Sequence, residues 1–225
     1  RFSVCSRHMP IRIIKNRDIG SLAELQTFKS AVIYGKGPTF KLVHENETSQ
    51  RPFVVCVNDT VNVCKQCDML VVNDIETWPR IVDDKLRKAK YVLTPVFPHV
   101  RRHPQDVRCH PHPDVYIPLS LDILWRKGYE GNVVFYNLPT APLQNPDYPI
   151  LDSVISGSNN AVDFLMKFMK LDLLRTVGVG VSGESGHHQS FRGAAPAPNV
   201  YSEEHLATIR DHIRWSTRGI RLVSE

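Results

Sequence analysis

The chain has 225 residues, 28 Lys and Arg against 23 Asp and Glu, a formal net charge of +5, 42% hydrophobic and 23% charged residues. That length suits one sizeable domain with its own core, and no apolar run approaches the roughly 20 residues of a membrane-spanning helix, so a transmembrane class is excluded. Five cysteines (Cys5, Cys56, Cys64, Cys67 and Cys109) without a secretory leader read as reduced thiols and a cytoplasmic setting, and the mild, dispersed positive excess favours anionic partners.

In chain order, residues 1–8 read as a tag or disordered start, because His8-Met9 resembles a cloning scar, and residues 9–225 as one domain. Residues 19–30, IGSLAELQTFKS, place Ser21 three positions before Glu24 ahead of helically spaced apolar residues, which predicts a short capped helix. Val-rich apolar runs at 31–34, 53–58, 69–74, 91–97, 132–137 and 176–181 lack strict alternation, as strands buried on both faces do. Two proline-rich stretches, 97–118 and 137–152, predict irregular surface excursions, since proline lacks a backbone donor and blocks helix continuation. Residues 158–174 predict the strongest helix, with Ala161, Phe164, Leu165, Phe168 and Met169 on one face. A Gly, Ser and Pro-rich loop at 182–199 follows, then a helix over 202–219 opened by Ser202 and closed by Gly219, and a last strand at 220–224. The order predicts an α/β fold: a single Rossmann-like domain whose open, mostly parallel sheet is flanked by helices, with a Pro-rich middle insertion.

Three stretches point to chemistry. GKGPT, Gly35 to Thr39, follows the first buried strand, and its glycines allow close backbone approach while leaving amides free for anionic oxygens; a sharp turn explains the motif alone equally well. Asn58 closes the next strand, and Asn73 with Asp74 closes the one after, so all three border the crevice at the carboxyl ends of a parallel sheet; asparagine is also a common turn former. Ser156, Gly157 and Ser158 open the long helix, where free amides and the helix dipole attract anions, although plain N-capping needs no ligand. Cys64 and Cys67 have the spacing of a zinc-ligand pair, but Cys109 to His112 lacks the spacing of a second half, so no metal site is assigned. The basic clusters at 85–90 and 100–112, with Arg101, Arg102 and Arg108, suit a phosphate backbone or a solvated face.

Gly-x-Gly-Pro-Thr after the first strand, Asn at the ends of the next two, Ser-Gly before a long helix and a strand ending in a Gly-rich loop together resemble the bacterial sialyltransferases of the CMP-sialic-acid type. The pattern is also similar to the wider superfamily that includes the archaeal hydroxymethylpterin diphosphokinases. The resemblance runs over residues 31–73 and 153–188, about half the chain. It implies that Gly35, Lys36, Gly37, Pro38 and Thr39 sit at the phosphates and sugar of a nucleotide donor, that Asn58 and Asn73 contact the donor, and that Ser156, Gly157 and Ser158 hold the nucleotide end. It further implies a histidine general base, His188 or His187. Lys36 stands where the family has Asn, and GVSGESG replaces the family's Gly-x-Asp, with Glu184 the nearest acid.

The expectation is a glycosyltransferase that moves a sugar from a nucleotide-sugar donor to an acceptor hydroxyl on nucleic acid or a glycan. The alternatives are a Mg²⁺-dependent diphosphokinase using ATP, with Asp59, Asp74 and Glu76 as metal ligands, and a catalytically inactive nucleotide-binding module. The cofactor these readings allow is Mg²⁺ carried in with the nucleotide.

Overall fold

The apolar runs pair into one sheet. The computed structural model describes residues 11–42, 51–97, 113–139, 144–151, 156–180 and 202–225. Its strands are β1 (Arg12–Ile13), β2 (Ser30–Tyr34), β3 (Phe53–Val57), β4 (Met69–Val71), β5 (Tyr91–Pro95), β6 (Asn132–Tyr136), β7 (Leu173–Val177) and β8 (Arg221–Ser224). They lie in the order β1-β6-β5-β4-β3-β2-β7-β8, and all pairings are parallel.

Period-two alternation divides the core between the two faces. Ala31, Ile33, Phe53, Val55, Met69 and Val71 point to one face, where α1 (Asn16–Ile19), α4 (Gly157–Phe168) and α5 (Glu203–Ser216) cover them. Val32, Tyr34, Val54, Cys56, Leu70 and Val72 point to the other, under α2 (Asp83–Leu86), α3 (Pro113–Arg126) and the 3₁₀ turns Asn58–Asn62 and Ile75–Arg80. Ile33, Val55 and Val71 are fully buried, and each such side chain contributes about 1.5–3 kcal/mol relative to exposure. This is the doubly wound α/β fold that the run pattern predicts.

Three boundaries differ from the sequence reading, each for a tertiary reason. Residues 19–30 do not form one helix: α1 ends before Gly20, a 3₁₀ turn spans Ala23–Thr27, and Ser21 donates its hydroxyl to the Asp18 carbonyl instead of capping. The amides of Asp172 and Leu173 both donate to the Lys29 carbonyl, which requires extended chain at the entry to β2. The same contacts end α4 at Phe168 and start β7 at Leu173, three residues ahead of the expected strand; Gly178, at φ +65°, then terminates it.

The proline-rich stretch also yields a helix. α3 starts on Pro113, where the missing donor would have been unsatisfied anyway, and carries Pro118 on an exposed position. Among the described residues no helix is long and apolar enough to cross a membrane.

Candidate functional site

The strand order places a switch point beside β2. From β2 the chain runs outward through β3, β4, β5 and β6, then returns to pair β7 with the opposite edge of β2. Ligand crevices in open α/β sheets lie outside the carboxyl ends of strands at such a point. Here the GKGPT loop meets the end of β7 backbone to backbone. The Gly35 amide donates to the Val177 carbonyl and the Gly37 amide to the Gly178 carbonyl, both at 2.8 Å. A Cβ on Gly35 would lie 2.5 Å from the Gly178 oxygen, and one on Gly37 2.7 Å from it.

The two glycines therefore close a seam between β2 and β7, and their amides are not free for an anion as the motif suggests. Among the described residues the loop amides without an acceptor are those of Lys36 and Thr39, since Phe40 donates to the Gly37 carbonyl and Pro38 has no donor. Thr39 is exposed. Beside the seam a cleft of about 460 Å³ opens between α5 and the ends of β7 and β8, lined by Thr39, Gly180, Arg210, Arg214 and Glu225.

The end of β3 is unusual in two respects. Asn58 is the one non-glycine residue among those described with positive φ, +57°, a conformation asparagine tolerates better than most residues. Asp59, next to it, is only 2% exposed. Two cations converge on its carboxylate: the Lys36 ammonium lies 3.0 Å from Oδ1 and Arg80 Nε lies 3.6 Å from Oδ2. Neither approach is aligned as a hydrogen bond, so both Asp59 oxygens and Arg80 Nε lack a hydrogen-bond partner. Arg80 is fixed through its other nitrogens, Nη1 donating to the Glu76 carbonyl at 3.1 Å and Nη2 to Thr77 Oγ1 at 3.2 Å.

Asn58 Oδ1 and Glu76 Oε2 are buried without partners as well. Most of the buried side-chain polar atoms lacking a hydrogen-bond partner among the described residues thus belong to Asn58, Asp59, Glu76 and Arg80. Native folds leave few such atoms, and these lie in the two 3₁₀ turns that follow β3 and β4, which makes that region the candidate site.

On the α4 side, the end of β4 is held by a buried amide chain. Tyr136 Oη donates to Asn73 Oδ1 at 2.7 Å, and Asn73 Nδ2 donates to Asn160 Oδ1 at 2.8 Å. Burial first, and then the charge of Asp74, push the Tyr136 phenol well above its usual range, so it remains a neutral donor. Asp74 is part-exposed and accepts the Thr77 amide at its carbonyl.

Ser156 caps α4, its Oγ accepting from the Asn159 amide at 3.2 Å and donating to Asn159 Oδ1 at 2.5 Å. Gly157 lies over both strand ends: a Cβ there would sit 3.1 Å from Val57 Cγ1 and 3.6 Å from Asn73 Cγ. Ser158 is buried beside it. The structure thus gathers Asn58, Asn73, Gly157 and the neighbouring Ser156 and Ser158 around the ends of β3 and β4, with Lys36 reaching the same strand end through Asp59.

His187, His188 and Glu184 lie outside the described residues, as do Arg101, Arg102, Arg108, Cys109 and His112. Cys56, Cys64 and Cys67 are free and buried. Burial pushes the Cys56 thiol up, and a hydrogen bond with Cys56 followed by burial does the same for Cys64, which keeps both protonated. Among the described residues no group of three or more His, Cys, Asp or Glu side chains is placed to hold a metal ion.

The 85–90 basic cluster is largely engaged within the chain. Lys85 donates to the Cys64 carbonyl, Arg87 pairs with Asp84, and Lys90 pairs with Glu24.

Sequence reasoning missed Arg80, Tyr136, Asn160 and Gly178. Arg80 falls between the elements read there, Tyr136 inside a strand and Asn160 inside a helix, and nothing in their local pattern signals partners 21, 63 and 87 residues away. No protein-family model matches the chain, and no curated protein matches it.

Proposed function

We propose that the chain binds a nucleotide-linked sugar at the carboxyl ends of β2, β3 and β4 and transfers the sugar to an acceptor hydroxyl. The acceptor oxygen would bond to the anomeric carbon as the bond from that carbon to the phosphate oxygen breaks, its electron pair leaving on the phosphate. The hydroxyl proton would pass to a general base, the role the resemblance gives to His188 or His187.

The observation that carries this reading is the convergence at the end of β3. Asn58 in its left-handed conformation and Asp59 with its two cations, Lys36 and Arg80, follow β3, and Gly157 at the N-terminus of α4 lies against Val57 at the end of the same strand, next to β2 and the switch point. Fixed cations and helix amides aimed at departing phosphate charge are the form that electrostatic stabilisation takes in group transfer. A nucleic acid or a glycan remains the proposed acceptor.

The diphosphokinase alternative draws on Asp59, Asp74 and Glu76 for Mg²⁺. Asp59 already faces two cations, which favours glycosyl transfer of the two. The third alternative, a binding module without turnover, shares the crevice and differs only in catalysis.

The test is thermal unfolding of the intact chain with CMP, UDP, GDP, ADP or ATP, with and without Mg²⁺. A ligand at 100 times its Kd stabilises by about 2.7 kcal/mol. Stabilisation by one nucleoside mono- or diphosphate without metal, followed by turnover of the matching nucleotide sugar, is the expected result. A response confined to ATP with Mg²⁺ transfers the assignment to diphosphoryl transfer, binding without turnover to the binding module, and no response to any nucleotide overturns the crevice.

A further inference from the structure

Three thiols meet where the chain enters and leaves the Asn58–Asn62 turn. Cys56, Cys64 and Cys67 are free, 0%, 3% and 6% exposed, and packed in one core cluster on the sheet face that α2 and α3 cover. Cys56 is the common member, its thiol in hydrogen-bond contact with those of Cys64 and Cys67. It also donates to the Gln66 carbonyl at 3.8 Å, and that oxygen belongs to the peptide bond joining Gln66 to Cys67.

The segment that carries Cys67 is fixed against β3 by its neighbour. The Asp68 amide donates to the Val54 carbonyl and the Val54 amide to Asp68 Oδ2, both at 2.8 Å. Arg51 grips the same carboxylate, Nη1 donating to Oδ2 at 2.7 Å and Nη2 to Oδ1 at 3.0 Å. Contacts that involve neither sulfur thus hold Cys67 beside Cys56, and converging side chains are the first requirement of a disulfide. A bond between these two would close a ring containing the whole Asn58–Asn62 turn, with Asn58 and Asp59 inside it.

We infer that Cys67 and Cys56 form a modification site, converted by hydrogen peroxide into a disulfide that restrains the Asn58–Asn62 turn. Cys67, the most exposed of the three, reacts first. Its sulfur bonds to one peroxide oxygen as the O–O bond breaks, giving a sulfenic acid and a water. The Cys56 sulfur then bonds to Cys67 Sγ, the sulfenic S–O bond breaks, and the Cys56 proton leaves with that oxygen as a second water. Two thiols lose two electrons and two protons, and the peroxide is reduced to two waters. Burial keeps the Cys56 and Cys64 thiols protonated, and protonated buried thiols are poor nucleophiles. Neither starts the reaction, and Cys56 enters it through its contact with the oxidised sulfur. The inference is independent of the nucleotide reading.

The experiment is disulfide mapping by mass spectrometry on the full chain carrying Cys5→Ser and Cys109→Ser, since those two cysteines lie outside the described residues. After brief peroxide treatment and alkylation under denaturing conditions, the expected product links Cys56 to Cys67, leaves Cys64 alkylated, and is reversed by dithiothreitol. Amide exchange over residues 58–64 slows by about 10-fold or more in the linked form, the scale of stabilisation that ring closure brings.

Three variants separate the roles. Cys64→Ala keeps the link. Cys56→Ala halts the reaction at a Cys67 sulfenic acid trapped by dimedone, and Cys67→Ala leaves the two remaining, more deeply buried thiols reduced. Should Cys56→Ala not fold, Cys67→Ala carries the comparison. Thiols that all stay reduced, a link from Cys56 to Cys64 in place of Cys67, or Cys67 oxidised to a sulfinic acid beside a reduced Cys56 would each overturn the inference. A link that leaves exchange over the turn unchanged overturns the restraint.

Discussion

Replacing Gly35 by alanine tests the seam on which the site rests. The added Cβ would lie 2.5 Å from the Gly178 carbonyl oxygen and 2.8 Å from Val179 Cγ2, where ordinary contact begins at 3.4 Å. The Val179 methyl can turn aside, but the carbonyl is backbone and cannot. Relief therefore requires the ends of β2 and β7 to separate by most of an ångström, by the difference between those distances. That movement stretches the Gly35–Val177 and Gly37–Gly178 hydrogen bonds, each 2.8 Å.

Two weakened hydrogen bonds cost about 1–3 kcal/mol together, and the overpacking itself about 1–3 kcal/mol. The reduced freedom of the unfolded chain returns about 0.4–1 kcal/mol. The net expectation is a loss of roughly 2–5 kcal/mol, which for a chain of this size lowers Tm by about 5–15 °C.

Gly20→Ala is the internal control. A Cβ at Gly20 meets nothing within 4 Å, and its backbone is already helical at φ −63°, so this change should leave Tm level or raise it slightly. Differential scanning calorimetry of both variants decides the matter. Equal, small shifts for Gly35→Ala and Gly20→Ala would refute the seam, and with it the account of why the loop carries glycine.

Two further outcomes follow from the buried polar groups. Tyr136→Phe leaves Asn73 Oδ1 without its donor in a buried site, so chemical denaturation should show a loss of about 1–3 kcal/mol, and the released Asn73 amide should weaken the proposed nucleotide binding in the same variant. The fold should also weaken in alkali: Cys56, Tyr129 and Tyr136 have folded-state pKa values raised by burial above the ordinary 9.0 for Cys and 10.0 for Tyr. The unfolded chain then releases these protons first, so stability holds below about pH 9 and falls above it, by up to about 1.4 kcal/mol per pH unit for each group. Tm measured from pH 7 to 11 should decline with a shallower slope in Tyr136→Phe, and a flat profile would contradict the burial of these groups.

The sheet was legible in the sequence because its signal is local. Runs such as FVVCV and YVLTP are apolar on both faces, and only a parallel sheet covered on both sides gives every such residue a place. Residues near 20 and 170 misled, because there the deciding contact is distant. The Lys29 carbonyl takes amides from Asp172 and Leu173 across 143 and 144 positions of sequence, and no window of helical periodicity contains that information. The site divides in the same way. The positions of Asn58, Asn73, Ser156, Gly157 and Ser158 were legible because each sits at or just past the end of a strand or at the start of a helix, places that sequence pattern marks. Arg80 and Tyr136 act on Asp59 and Asn73 through folded proximity alone.

The glycines and the lysine of the GKGPT loop make separate contacts. A loop whose amides cradle phosphate needs those amides free, yet Gly35 and Gly37 donate theirs to β7. Their small size is required by the Gly178 carbonyl, which no side chain at either position could clear. Any attraction the loop exerts on an anion must then come chiefly from the residue between them, whose ammonium reaches Asp59 and not the seam. Substitutions at the glycines should accordingly be read out as stability, and, if the proposed nucleotide crevice holds, substitutions at Lys36 as affinity. A variant set in which both classes changed stability alone would leave the crevice with no anion-binding group of its own on the β2 side.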